Sequence, residues 1–132
     1  MKTKFYLLLT VYTLFFTDKN DLQAQNSTSP ITDFNELSES FLQRIKKNED
    51  TQDLQDVLAN TSIKELENAL DTNDKRLAFW LNIYNAYIQV ILNKNPNLYN
   101  DRGIFFKLEQ IKIAGETVSF AKIEHGLIRK SQ

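Results

Sequence analysis

The chain has 132 residues, a quarter of them charged, with a formal net charge of −1, one histidine and no cysteine. A length of this order suits one domain around a single modest core. The balanced and scattered charge provides no basic field for nucleic acid, and the lack of cysteine excludes disulfide stapling, thiolate metal ligands and a cysteine nucleophile within these residues.

Lys2 and Lys4 precede an apolar stretch over residues 5–16, and a polar segment follows to Gln25, with Ala24 as a small residue before the expected cleavage point. This is the layout of a secretory signal peptide over residues 1–25. The apolar stretch is short for a permanent span, which wants roughly 20 residues, so an N-terminal membrane anchor is the alternative. A signal peptide ahead of a cysteine-free domain points to a periplasmic or secreted bacterial protein. Residues 26–32, polar and containing Pro30, read as a linker, and residues 33–132 as a single domain.

Asp33 with Glu36 marks a helix start, and Phe34, Leu37, Phe41, Leu42 and Ile45 recur at helical spacing, predicting an amphipathic helix over 33–47. A weaker helix follows over 51–59 with Leu54, Val57 and Leu58 on one face. Ser62 and Glu65 form a capping box for a third, running to about residue 70. The segment Asp71 to Asp74 supplies turn and cap residues for a fourth, over about 75–93.

That fourth helix contains the run LAFWLNIYNAYIQVILN, with no formal charge between Arg76 and Lys94. Leu77, Trp80, Leu81, Tyr84, Ile88, Ile91 and Leu92 fall on one broad face, and Phe79, Ile83, Tyr87 and Val90 cover much of the rest. A helix apolar around most of its circumference belongs in the middle of a domain. Four amides within the run argue against a membrane span, and Pro96 ends it. Residues 97–103 read as a loop. Ile111, Ile113, Val118 and Phe120 then alternate with polar residues around Ala114-Gly115, predicting a β-hairpin over about 110–119. Ser119 caps a last helix carrying Ile123, Leu127 and Ile128 to the end of the chain. The fold class is therefore α+β, mainly α, around a buried central helix.

Among candidate functional residues, Asn82, Asn85 and Gln89 make a narrow polar stripe on the central helix beside the small Ala78 and Ala86. Buried amides need partners: either they bridge to neighbouring backbone and lock the fold, or they line a cleft and orient a polar ligand. Trp80, Tyr84 and Tyr87 carry the spacing of a core face, with stacking on a sugar or base as the alternative. His125, beside Glu124 and Gly126, has no second histidine or cysteine for a metal site, so neither metal nor cofactor is expected. Its ordinary pKa suits a general acid or base, and a plain packing role is the alternative. Glycine is costly inside a helix, and Gly126 therefore suggests close approach by another backbone or a ligand.

LAFWLNIYNAYIQVIL, NPNLYNDRGIFFK, IKIAGETVSF and IEHGLIRKS together resemble the family known as domain of unknown function 547, over about residues 75–131. Trp80, Asn82, Tyr84, Asn85, Glu124, His125, Gly126 and Arg129 are the positions that match its pattern. Family members commonly carry acidic residues where this chain has Ala121-Lys122. The family pattern also runs on past this helix with a segment containing cysteine and proline, so the resemblance implies the N-terminal part of a longer domain.

The reading that follows is an exported protein with a polar ligand pocket where the amide stripe meets the I-E-H-G motif. His125 and Glu124 are the catalytic candidates, and Asn82, Asn85, Gln89, Tyr84 and Arg129 the ligand-binding ones. Asn82 or Asn85 is expected within side-chain reach of His125 or Glu124. The partner is a small polar ligand or an envelope protein. The alternatives are an envelope binding or scaffolding module and an inactive fragment of a thiol-hydrolase-like domain.

Overall fold

The computed structural model describes residues 33–131, so the expected signal peptide and linker lie outside the described residues. Helix α1 (Phe34–Lys46) begins where the Asp33 carboxylate accepts the N–H groups of Asn35 and Glu36 at 2.9 and 3.1 Å, satisfying donors that a helix start leaves open. Helices α2 (Gln52–Asn60) and α3 (Ile63–Ala69) follow. The capping box at the start of α3 is complete: Ser62 Oγ accepts from Glu65 N at 3.1 Å, and the Glu65 carboxylate accepts from Ser62 N at 3.0 Å. The bond from the Ser62 backbone is the main cause that holds the Glu65 carboxyl below its ordinary pKa.

Helix α4 (Asn73–Lys94) is the long central element, capped by Thr72, whose hydroxyl accepts from Lys75 N at 3.2 Å. Its residues from Phe79 to Ile88 are buried without a break, as a helix apolar all round requires. Helix α1 packs along it, with the Phe41 and Tyr87 rings edge to face at 5.2 Å and Phe79 between Phe34 and Trp80. Among the described residues no helix is long and apolar enough to cross a membrane.

The expected loop over 97–103 is instead a 3₁₀ turn (Pro96–Asn100) leading into a short helix α5 (Arg102–Lys107). Asp101 caps α5, accepting from Ile104 N at 3.1 Å. The buried Phe105 stacks on Phe120 at 5.2 Å, and that contact holds a helix which the local Asn, Asp and Gly residues disfavour. Strands β1 (Glu109–Ile113) and β2 (Glu116–Ser119) then pair antiparallel, Ile111 opposite Val118 and Ile113 opposite Glu116. Ala114 and Gly115 both take positive φ, 53° and 75°, the geometry of a two-residue hairpin turn. Ile111, Ile113 and Val118 place one face of the hairpin on the core.

Ser119 caps the last element as expected, accepting from Lys122 N at 3.1 Å. After one turn of α-helix, α6 (Phe120–Lys122), the backbone widens into a π-helical turn over Ile123–Ile128 and closes with a 3₁₀ turn over Arg129–Ser131. The expected C-terminal helix is present, with a π-helical middle. Residues five apart diverge around an α-helix but align in a π-turn, and Ile123 and Ile128 are both buried.

Candidate functional site

The polar groups of α4 divide between its flanks. On the flank toward α1, the buried Asn82 donates through Nδ2 to Ser38 Oγ at 3.1 Å, and Ser38 Oγ donates to Asn35 O at 2.8 Å. Asn85, also buried, donates through Nδ2 to Leu81 O within its own helix at 3.0 Å. Gln89 is half-buried, its Nε2 3.4 Å from Asn85 O. These bonds run back into the protein.

The other flank meets the I-E-H-G turn, and α4 packs directly against it. Here the Tyr84 phenol, 3% exposed, lies close to the Glu124 carboxylate, whose charge and acceptor oxygens act on it. Burial is the main cause that pushes the Tyr84 phenol above its ordinary pKa, helped by the negative charge of Glu124, by Tyr99 and by the hydrogen bond itself. The ring is held by Phe106, stacked at 6.5 Å, and by Phe120, edge-on at 5.3 Å. Tyr99 completes the aromatic wall against Phe105 and Phe106, and the Arg102 guanidinium lies 5.0 Å above its ring centre, within reach of a cation–π attraction.

Glu124 is the hinge between this interior and solvent. Its side chain is 21% exposed, and Arg129 approaches one carboxylate oxygen at 3.8 Å from a position 54% exposed. That separation is longer than a hydrogen bond, so the pair is electrostatic and Arg129 keeps donors for other partners. His125 stands next to Glu124 in the exposed part of the turn. Gly126 does not sit against another backbone: no described atom outside its own helix lies within 4 Å of where a Cβ would point. The expected close approach is thus not made by any described residue, and open space lies there instead.

Tyr84, Glu124 and Arg129 are therefore brought together, with His125 at their outer edge. The link between the central helix and the motif comes from Tyr84, whose spacing is that of a core face and which the family resemblance made a ligand-binding candidate. Tyr99, Phe106 and Arg102 escaped the sequence reading because they stand in a stretch with loop composition. Among the described residues there is no group of His, Asp and Glu side chains placed to hold a metal ion. What the arrangement offers chemically is a carboxylate oriented by a phenol, flanked by an imidazole and a guanidinium at the surface.

Residues 68–132 match the family described as protein of unknown function, DUF547. No curated protein and no solved structure matches the chain. The family match includes both ends of the Tyr84 to Glu124 bond. It leaves out Ser38, the partner of Asn82.

Proposed function

With residues 68–132 assigned to the DUF547 family, we propose that the chain is an exported bacterial domain that binds a small polar ligand at the turn formed by Glu124, His125 and Arg129, over Tyr84. The observation that carries this reading is the contact of a buried phenol with a carboxylate that opens to solvent. Such a contact fixes Glu124 before a ligand arrives, which lowers the ordering cost of binding. The π-helical turn supports the same reading, since such turns recur at functional sites, and the open space beside Gly126 gives a ligand room. Arg129 and His125 suit an acidic group on the ligand, and Glu124 suits an N–H or O–H donor. A small zwitterion such as an amino acid or short peptide combines the two.

In this reading Asn82, Asn85 and Gln89 position the central helix rather than touch the ligand. The export half rests on Lys2, Lys4 and the apolar residues 5–16, and places the protein in the periplasm or outside the cell. A scaffolding module of the envelope is the second reading, favoured by the bonds that Asn82 and Asn85 make within the fold. An acid/base role for His125 belongs to an enzymatic version that additionally needs a reacting group on the ligand.

The test is a titration of the isotope-labelled chain with glycine, D-alanine and a dialanine peptide, followed by NMR. Saturable shifts at residues 123–129 and at the His125 ring, lost in Glu124→Gln and Arg129→Ala while the fold persists, are expected. Unchanged spectra with all three compounds would turn the balance to the scaffolding reading.

A further inference from the structure

A second recess lies between α2 and the β-hairpin, away from the Glu124 turn in sequence and in lining. Its walls are fastened together: Ala114 N donates to Leu58 O at 2.8 Å and Gly115 N to Ala59 O at 3.0 Å. Those bonds occupy carbonyls that the C-terminal turn of α2 leaves open, so the hairpin turn and the helix end move as one body. The space between them is about 590 Å³, inside the range of roughly 300–1,000 Å³ typical of small-molecule sites. The recess beside Trp80 is smaller, about 270 Å³, and is walled mainly by leucine, isoleucine and valine.

The larger cleft is lined by side-chain amides that the fold orients. Gln52 Nε2 donates to Asp56 Oδ1 at 2.9 Å, Asn60 Nδ2 to Asp56 O at 2.8 Å, and Gln110 Nε2 to Phe105 O at 2.9 Å. Each of those partners can only accept, which fixes the amide orientation and leaves the side-chain oxygen as an acceptor beside one remaining N–H. Gln55 bonds the Thr51 hydroxyl at 3.1 Å. At the floor stands Tyr87, 5% exposed and lining the cleft, whose hydroxyl makes no hydrogen bond to a described residue. Burial, and secondly the charge of Asp56, keep this phenol protonated well past neutral pH, so it is available as a donor. The charged side chains lining the cleft are Asp56, Lys112 and Glu116, and Lys122 lies 3.8 Å from Glu116.

We propose that this cleft is a saccharide site, in which the hydroxyls of a mono- or disaccharide donate to the side-chain oxygens of Gln52, Gln55, Asn60 and Gln110 and meet the Tyr87 hydroxyl at the floor. A lining of oriented amides, each with an oxygen and a remaining N–H, matches a ligand with many uncharged O–H groups, which both donate and accept. A polycation would need a clear excess of carboxylate. The site stands independently of the Glu124 turn, and neither reading depends on the other.

The full chain, labelled with nitrogen-15, is titrated with glucose, maltose and N,N′-diacetylchitobiose, with spermidine as the charged comparison. At least one saccharide is expected to shift the side-chain amide signals of Gln52, Gln55, Asn60 and Gln110 in a saturable way. Tyr87→Phe removes only the hydroxyl and keeps the ring packed on Phe41, and it is expected to weaken that binding about tenfold, the worth of one hydrogen bond. Gln52→Ala, at an exposed position, should weaken it also without unfolding the chain. No saturable shift with any of the three saccharides, shifts confined to the Glu124 turn, binding of spermidine alone, or unchanged affinity in both variants would each overturn the proposal.

Discussion

The two flanks of α4 both carry buried polar side chains, yet they end differently. From Asn82 the hydrogen bonds pass to Ser38 Oγ and stop at Asn35 O, neutral groups all within the fold. From Tyr84 they pass to Glu124, which faces Arg129 and water. A closed chain of this kind satisfies its members and specifies how α1 crosses α4, and it has nothing left to offer a ligand. An open one ends in charges at the surface, where a ligand can take part. Burial alone therefore does not separate structural from functional polar groups; the far end of the network does.

The comparison can be broken most forcefully at Asn82. Replacing it by Ala strands an acceptor site of the Ser38 hydroxyl in the core and should cost about 1–3 kcal/mol in denaturant unfolding, with no change in the shifts that zwitterions produce at residues 123–129. If ligand binding by the folded fraction fell with stability, the flanks would be one site and the division would fail. Tyr84→Phe cuts the open network and should cost about 1 kcal/mol, less than at Asn82 because water can reach the freed Glu124; here ligand affinity is expected to fall.

The same phenol sharpens the comparison through pH. Tyr84 and Tyr87 both have pKa values raised by folding, first through burial. Their contribution to stability is fully present below the unfolded value, about pH 10, and is lost as pH rises through the folded values, because the unfolded chain releases those protons first. Unfolding midpoints measured from about pH 8 to about pH 11 should decline at the alkaline end. The decline should be shallower in Tyr84→Phe, while Asn82→Ala should lower the midpoint equally across the range.

Smaller effects are expected at the outer edge. Arg129→Ala removes a largely exposed ion pair and should cost less than about 1 kcal/mol, so that any larger loss of ligand affinity reports contact with the ligand. Gly126→Ala meets no clash with described atoms and should stabilise the turn by about 0.4–1 kcal/mol. If it also blocks the zwitterions, the open space beside Gly126 is where they sit.

The helix starts at Asp33, Ser62 and Thr72, the break before Pro96 and the turn at Ala114-Gly115 were legible because caps and turns are made by residues a few positions apart. Helix α5 was not, since Asn100, Asp101 and Gly103 favour a loop and only the packing of Phe105 on Phe120 outweighs them. In the candidate site, Glu124 and His125 stood out by their chemistry, whereas Tyr84 became a candidate only through the family resemblance, because on a helix apolar all round its spacing marks a core residue.

By itself the sequence determined where the elements lie, that α4 must be buried, and that its amides and tyrosines need partners. Which partners they find was decided by the tertiary structure alone. Asn82 and Ser38 are 44 residues apart, and Glu124 meets Tyr84 where the π-helical turn packs on α4. Capping and turn chemistry act within one turn of chain, whereas the rotation of a buried helix is set by the shapes of all the elements packed around it.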